Sequence, residues 1–441
     1  MKSIAQGNDK AAGVPPATVI VLNHNGVRYL EECFRSLEAL NYPDDKLELM
    51  LVDNASTDGS VEYVKRNFPQ VRIIRNPQNL GFAKANNVGA EKAEGKYVAF
   101  INNDARAHPD WLIELVKSVS KEEDVVCVGG KILSWDGRKI DFTGAALNFY
   151  GMGFQPSHGR PNGPEYSASK EILFACGGSM LIERDLFLDC GGFDEDYFAY
   201  FEDIDLGWRL WVLGYRVLFV PTATSYHKGL GTSRYFATEK RSVLYERNAL
   251  YSAIKNYEEE NLLRILPAAL LLTVRRAVIF SGIDKRSYRM DMMEDPSLIW
   301  PASPEPRGLA RTRLLGTQLS EALREYGLWV VAKEAVRRVL RWFYVRSVLR
   351  IKRDLDVIPR VGVSHLVAMD DVVENLPSLM EKRGWIQARR KRSDSEILHL
   401  FGTPFHPHPP FPKYEEVQNS LAKYLGIYEI FEKSGYENPH R

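Results

Sequence analysis

Two periods of apolar residues alternate along the first half of the chain. Short apolar runs, many rich in β-branched residues, occupy Thr18–Leu22, Leu47–Val52, Val71–Ile74, Tyr97–Ile101 and Val125–Val128, and read as buried strands. Between them, apolar residues recur at helical spacing, as with Leu30, Phe34 and Leu37 within Arg28–Leu40. Further helices are predicted over Val61–Asn67, over Ala83–Ala93 after a loop at Asn76–Phe82, and from Pro109 to Ser120. Ser60 stands where it could cap the first of them, Val61–Asn67. Strands alternating with helices predict an α/β fold, a doubly wound, mostly parallel, Rossmann-like sheet.

From Gly129 to Ser169 the pattern breaks. Glycines, prolines and aromatics rise, which predicts a loop-rich insertion with short strands lining a cleft. Leu173–Leu181 reads as a strand interrupted by Cys176-Gly177-Gly178-Ser179. Small residues there would let backbone approach a ligand, and a β-bulge explains them equally well. Next come a Gly191–Asp194 turn, an aromatic run at Tyr197–Phe201, and acids at Glu202, Asp203 and Asp205 opening a helix to Leu213. A strand at Arg216–Val220, a polar loop at Tyr226–Ser233 and a long helix at Arg234–Asn256 follow. Beyond Asn261 the character changes. Leu262–Val274 is apolar but ends on Arg275-Arg276, Gly282–Arg307 reads as a linker, and Leu319–Ile351 mixes apolar residues with arginines. Residues 261–360 hold 19 Lys and Arg against 10 Asp and Glu, a local +9. A basic amphipathic helix with Trp329, Trp342 and Phe343 suits a membrane interface, and a helical subdomain with solvated or paired arginines explains the stretch equally well. The tail from Pro404 is uninformative. The expected organisation is a disordered 1–16, an α/β domain over 17–258, and a helical, basic region over 259–441.

Composition narrows the classes. The 441 residues are 45% hydrophobic and 26% charged, ordinary for a globular chain of two or three domains. A net charge of +1 disfavours a nucleic-acid partner. Cys33, Cys127, Cys176 and Cys190 form no CxxC pair, which argues for a reducing compartment and against a zinc site. Met1–Pro16 has no apolar stretch of the secretory type, and no run of about 18 apolar residues spans a membrane. The expected location is cytoplasmic, peripheral on the inner face of the cell membrane.

The candidate chemistry sits at strand ends. The first strand ends on Asn23-His24-Asn25, the second on Asp53, and the Tyr97–Ile101 strand on Asn102-Asn103-Asp104. In an open α/β sheet these ends lie along the ligand-binding rim. Clustered amide and carboxylate oxygens there suit Mg²⁺ or Mn²⁺ bridging to a diphosphate. A strand closing on an Asx turn is the competing explanation. Asp53 could accept from a ribose hydroxyl or a base N–H. The chain has no GxxxxGK[ST] motif, and Gly151-Met152-Gly153 lacks the third glycine of a dinucleotide fingerprint. HExxH and GxSxG are absent too, so metalloprotease and α/β-hydrolase chemistry are not supported.

Read together, Val21–Gly26, Val52–Ser60, Asn79–Gly89, Asn102–Asp104, Gly191–Asp194, Phe201–Arg209 and His227–Ser233 resemble family 2 glycosyltransferases of the GT-A fold, near their rhamnosyltransferase-like branch. The resemblance covers Thr18–Ser233 and extends to Arg247-Asn248 and Lys255-Asn256. It implies an inverting transferase using a nucleotide-diphosphate sugar (dTDP-rhamnose or a UDP-sugar), a divalent metal, and a glycan or lipid-linked acceptor of the cell envelope. By the same resemblance Asp203, with Glu202 beside it, is the general base, and Asp104 and His227 hold the metal. The donor-binding set it implies is Asn23, Asn25, Asp53, Asn54, Asp58, Gly81, Phe82, Asn86, Asn102, Asn103, Gly177 and Gly178. Asn102 stands where the family's Asp-x-Asp motif has its first acid, which lowers the ligand charge. Trp208 and Arg209 read as packing and ion-pairing residues. The alternative is a non-catalytic nucleotide-sugar-binding protein on a degenerate GT-A fold.

Overall fold

The computed structural model describes residues 13–229, 237–283 and 359–437. The expected linker after Gly282 and the amphipathic stretch at 319–351 lie outside the described residues. Contacts divide the chain into two units, 1–280 with 360–441, and 281–359. The sheet and the helices around it belong to the first unit.

The strands are β1 (Ala17–Asn23), β2 (Leu47–Asp53), β3 (Arg72–Arg75), β4 (Tyr97–Asn102), β5 (Ala105–Ala107), β6 (Val125–Ser134), β7 (Ile140–Phe142), β8 (Ala146–Leu147), β9 (Gly153–Phe154), β10 (Lys170–Glu171), β11 (Ser179–Glu183) and β12 (Arg216–His227). The main sheet runs β10-β12-β6-β11-β4-β1-β2-β3. Within it β1, β2, β3 and β4 are mutually parallel and β6 is parallel to β12, while β11 lies antiparallel between β4 and β6. This is the expected α/β, doubly wound, mostly parallel sheet. The ends of β1, β2, β4 and β6 therefore share one rim.

The helices of the α/β part are α1 (Val27–Glu38), α2 (Ser60–Asn67), α3 (Gly81–Lys92), α4 (Trp111–Val119), α5 (Arg184–Asp189), α6 (Glu202–Val212) and α7 (Thr238–Asn256). In α1 the buried residues Leu30, Cys33, Phe34 and Leu37 fall at i, i+3, i+4 and i+7, the spacing that turns one stripe to a sheet. That stripe, with α2 and α4, builds one core on one face. A second core covers the other face and contains α3, α6 and α7. There α3 lies close because Gly89 carries no Cβ; one would sit 2.9 Å from a Val52 methyl.

The same second core takes in α8 (Glu259–Ser281), α9 (Arg360–Glu374), α10 (Leu376–Ala388), α11 (Asp394–Ile397), α12 (Pro412–Tyr424) and α13 (Ile427–Glu432). The tail beyond Pro404, unreadable as sequence, thus folds as helices that join the second core. Trp208 of α6, fully buried, meets Phe401 edge-on at 5.0 Å and Tyr257 at 4.7 Å. Arg209 pairs with Asp205 at 3.3 Å. Packing and pairing are thus what these two residues do.

Several boundaries differ from expectation. Ser60 does not cap α2: Gly59 holds the cap position in a left-handed conformation, and Ser60 bonds back to Asp58. The helix after the Asn76 loop starts two residues early, so Gly81 and Phe82 form its first turn. β6 runs on to Ser134, because β7 and β12 pair with the stretch that composition marked as loop. Leu173–Gly178 is loop rather than strand, and β11 begins only at Ser179. Tyr226 and His227 belong to β12, held in register by β5.

Candidate active site

Asp53, fully buried at the end of β2, accepts the Ser56 N–H at 3.1 Å and the Asn23 amide at 3.4 Å. Asn23 in turn accepts the Asn103 amide at 2.7 Å. A hydrogen-bonded line thus joins the ends of β2, β1 and β4. Asn25 (φ 51) belongs to the adjoining turn, where its side-chain Oδ1 accepts the Thr57 N–H at 2.8 Å.

On the other side of β4, Asp104 lies 3.0 Å from His227 Nε2, and the Asn102 amide lies 3.3 Å from that same nitrogen. His227 Nδ1 lies 2.6 Å from Asp141 Oδ2. Burial by itself would lower the imidazole's pKa. The bonds to Asp104 and Asp141 outweigh it and raise it to about 10. Asp141 comes from the short strand β7 in the insertion, and the sequence offered no signal for it.

Gly178 sits against Asn102, where a Cβ would lie 2.8 Å from the Asn102 amide nitrogen. The Gly177 N–H donates to Asp203 Oδ2 at 3.0 Å, and the Ile204 N–H to Oδ1 at 2.9 Å. Phe82 walls the same spot, 3.2 Å from where a Gly177 Cβ would be. The missing side chains at 177 and 178 thus leave room for Phe82 and Asn102 to pack close.

Glu202 is buried, and its Oε2 has no hydrogen-bond partner among the described residues. Burial first, and Asp203 second, push its carboxyl well above the ordinary range. Burial likewise raises Asp203, opposed by the Gly177 and Ile204 N–H donors. The α6 N-terminus that carries both acids is entered through Phe198 (φ 62), Tyr200 (φ 69) and Phe201 (φ 66). Such conformations cost on the order of 1–3 kcal/mol each and persist only where surroundings enforce them.

Three expected donor-binding residues act on the scaffold. Asn54 donates to Asn79 and to the Gly81 carbonyl, and accepts from Asn76 and the Leu80 N–H, so it moulds the 76–81 loop. Asp58 accepts the Val27 N–H at 2.9 Å, which ties α1 to the start of α2. Asn86, inside α3, donates to the Phe82 carbonyl at 3.0 Å. Asn87, given no role by the sequence, forms a two-way bond with the Phe193 backbone at 2.8 and 2.9 Å.

The donor set beside Asp104 suits a hard divalent cation. A carboxylate and an imidazole converge, and Asp141 on Nδ1 fixes the ring so that Nε2 faces Asp104; a cation there would take the place of the Nε2 proton that the two carboxylates otherwise hold. No cluster of three or more side chains forms a full cage among the described residues. Two protein ligands with phosphate oxygens completing the shell is the usual arrangement for Mg²⁺ at a nucleotide.

The family model described as Glycosyl transferase family 2 matches residues 18–191. An N-acetylglucosaminyl-diphospho-decaprenol L-rhamnosyltransferase of Mycobacterium tuberculosis is 27% identical over 239 residues, covering 49% of this chain and 77% of its own. A glucosyl-dolichyl phosphate glucuronosyltransferase of Haloferax volcanii is 31% identical over 186 residues, 40% of this chain and 55% of its own. Among solved structures, the mannosyltransferase PcManGT from Pyrobaculum calidifontis in complex with GDP-Man and Mn²⁺ superposes with a TM-score of 0.43 at 18% identity. That superposition covers 83% of this chain and 88% of the other.

Proposed function

We propose that this chain, whose residues 18–191 form a family 2 glycosyltransferase domain, moves a sugar with inversion from a nucleotide-diphosphate donor to a lipid-linked glycan acceptor of the cell envelope. The observation that supports it is a short chain of contacts between two acidic stations, from His227 through Asn102 and Gly178-Gly177 to Asp203. Asp104 and His227 stand at the ends of β4 and β12, and Asp203 stands across Gly177 and Gly178 at the start of α6.

Each residue then has a task. Asp53, Asn23 and Asn103 line the nucleoside end. Asp104 and His227 would hold a divalent ion, which would neutralise charge on the leaving diphosphate. Asp203 takes the proton from the acceptor hydroxyl on the face opposite the leaving group. Its two backbone donors fix the carboxylate, and its raised pKa makes it a stronger base than a solvated one. Glu202 is held neutral by burial and by Asp203's charge, and does not compete for the proton. The lipid-linked acceptor rests on two relatives whose names carry decaprenyl-diphosphate and dolichyl-phosphate substrates. The basic surplus in 261–360 fits a peripheral site on the membrane's inner face.

The test is a thermal-shift panel of UDP-, dTDP- and GDP-sugars with Mn²⁺ or EDTA, followed by nucleotide release from the best ligand. A ligand at 100 times its Kd adds about 2.7 kcal/mol of stability. Silence across the panel would remove the donor reading, and indifference to EDTA in both affinity and turnover would remove the metal.

A further inference from the structure

We infer that Asn248, on α7, is a positioning residue for this transfer: its amide clamps the Tyr197–Phe201 turn in the shape that joins the donor-side helix α3 to the Glu202–Asp203 pair. The inference rests on the reading of Asp203 as the base.

The amide is fully buried, and its Nδ2 lies 3.2 Å from the Tyr197 carbonyl, 3.0 Å from that of Ala199 and 2.7 Å from that of Tyr200. Two N–H groups are thus shared among three acceptors of one turn. Its orientation is set, because Asn248 Oδ1 accepts the Arg247 Nε–H at 3.0 Å. Arg247 adds bonds of 3.1 Å each to the carbonyls of Asp196 and Tyr197.

The clamped turn cannot hold itself. Phe198, Tyr200 and Phe201 all have positive φ, and large side chains leave that region unless something external keeps them there. Both ends of the turn reach the site. The Phe198 carbonyl accepts the N–H groups of Phe82 at 2.6 Å and Ala83 at 3.3 Å, in the first turn of α3. The Phe201 carbonyl accepts the Asp205 N–H at 2.9 Å, the first backbone bond of α6. Relaxing the turn would therefore move the base relative to the donor while the sheet stayed put. A buried asparagine serving stability alone would lower the melting temperature and leave the surviving enzyme at full rate.

The experiment uses the full chain with Asn248→Ala, and Asp203→Asn as a parallel variant. Hydrogen exchange is followed over 195–206, affinity is measured for UDP and dTDP with Mn²⁺, and turnover is read as nucleotide release. Exchange should quicken over 195–206 and stay unchanged in β1 and β4. Nucleotide Kd should stay near that of the parent, while kcat falls about 10- to 100-fold, as misplacing a reacting group by about 1 Å does. Should Asn248→Ala fail to fold, Asn248→Ser keeps one short donor and carries the same expectation in weaker form. Unchanged exchange over 195–206, or quickened exchange with full kcat, overturns the clamp. Full turnover in Asp203→Asn with the loss confined to Asn248→Ala removes the base reading instead.

Discussion

Asp203 and Glu202 are neighbours with different surroundings, and the proposed division of roles rests on that difference. Asp203 keeps two backbone donors that favour its charged form; Glu202 Oε2 has none among the described residues. Asp203→Asn should fold, bind nucleotide and lose about 10²–10⁴ in turnover, the usual contribution of a general base. Normal turnover in that variant with an inactive Glu202→Gln would transfer the role to Glu202. Stability gives a separate check. An unfolded glutamate releases its proton near 4.5, whereas burial holds the folded Glu202 protonated well above that. Above pH 4.5 the unfolded chain therefore binds fewer protons, and the folded state loses stability as pH rises toward the folded pKa. Glu202→Gln removes this penalty. Its melting temperature should exceed the parent's at pH 7, and the gap should close near pH 4.5. A lower melting temperature at pH 7 would mean that Glu202 is ionised and partnered.

At the level of elements, turns and glycines build the cleft. Gly81 opens α3 at φ 80, and a Cβ there would come within 2.5 Å of the Phe198 carbonyl oxygen. Gly81→Ala should cost about 1–2 kcal/mol for its left-handed backbone alone, plus the clash. Urea denaturation should show the loss and nucleotide titration a weakened donor; unchanged midpoints would mean that the α3–turn contact is not held in solution. This contact also shows what the sequence could reveal. Strands and helices of the α/β part were legible because periodicity is local, and the rim followed from strand ends. The proposed base and metal pair came only through resemblance. Asp141 was not legible at all, and Asn87 and Asn248 entered only as members of matching stretches, with no role attached. Each acts through a bond to a residue 50 or more positions away, and nothing in the surrounding pattern marks such a partner. The Val125–Ser134 strand was cut short because its partners β7 and β12 come later in the chain.

At the level of the whole molecule, the C-terminal helices complete the catalytic half. Asp194, beside the active-site turn, is buried between Lys255 of α7 and Lys382 of α10. Burial alone would raise its carboxyl; the two ammonium groups outweigh that and hold it low. Phe401 seals Trp208 and Tyr257 from the other side, so Phe401→Ala should cost about 3–5 kcal/mol in urea denaturation. A cost under about 1 kcal/mol would show that the tail is only loosely docked. The same packing decides how the protein can meet a membrane. No helix among the described residues is long and apolar enough to span one. The apolar part of α8 ends on Arg276, buried at 2% exposure and paired with Glu246 at 2.5 Å. That helix is therefore committed to protein, although Leu263 and Leu271 on its outer side are 67% and 54% exposed. Attraction to an anionic leaflet is then left to basic residues, worth about 1 kcal/mol per Lys or Arg near the surface and screened by salt. Binding to anionic vesicles should be strong in low salt and should fall steeply above about 0.5 M, well past physiological ionic strength. Neutral vesicles should bind weakly at either salt. Resistance to both high salt and carbonate would mean an inserted segment, and no binding to anionic vesicles at low salt would end the peripheral reading.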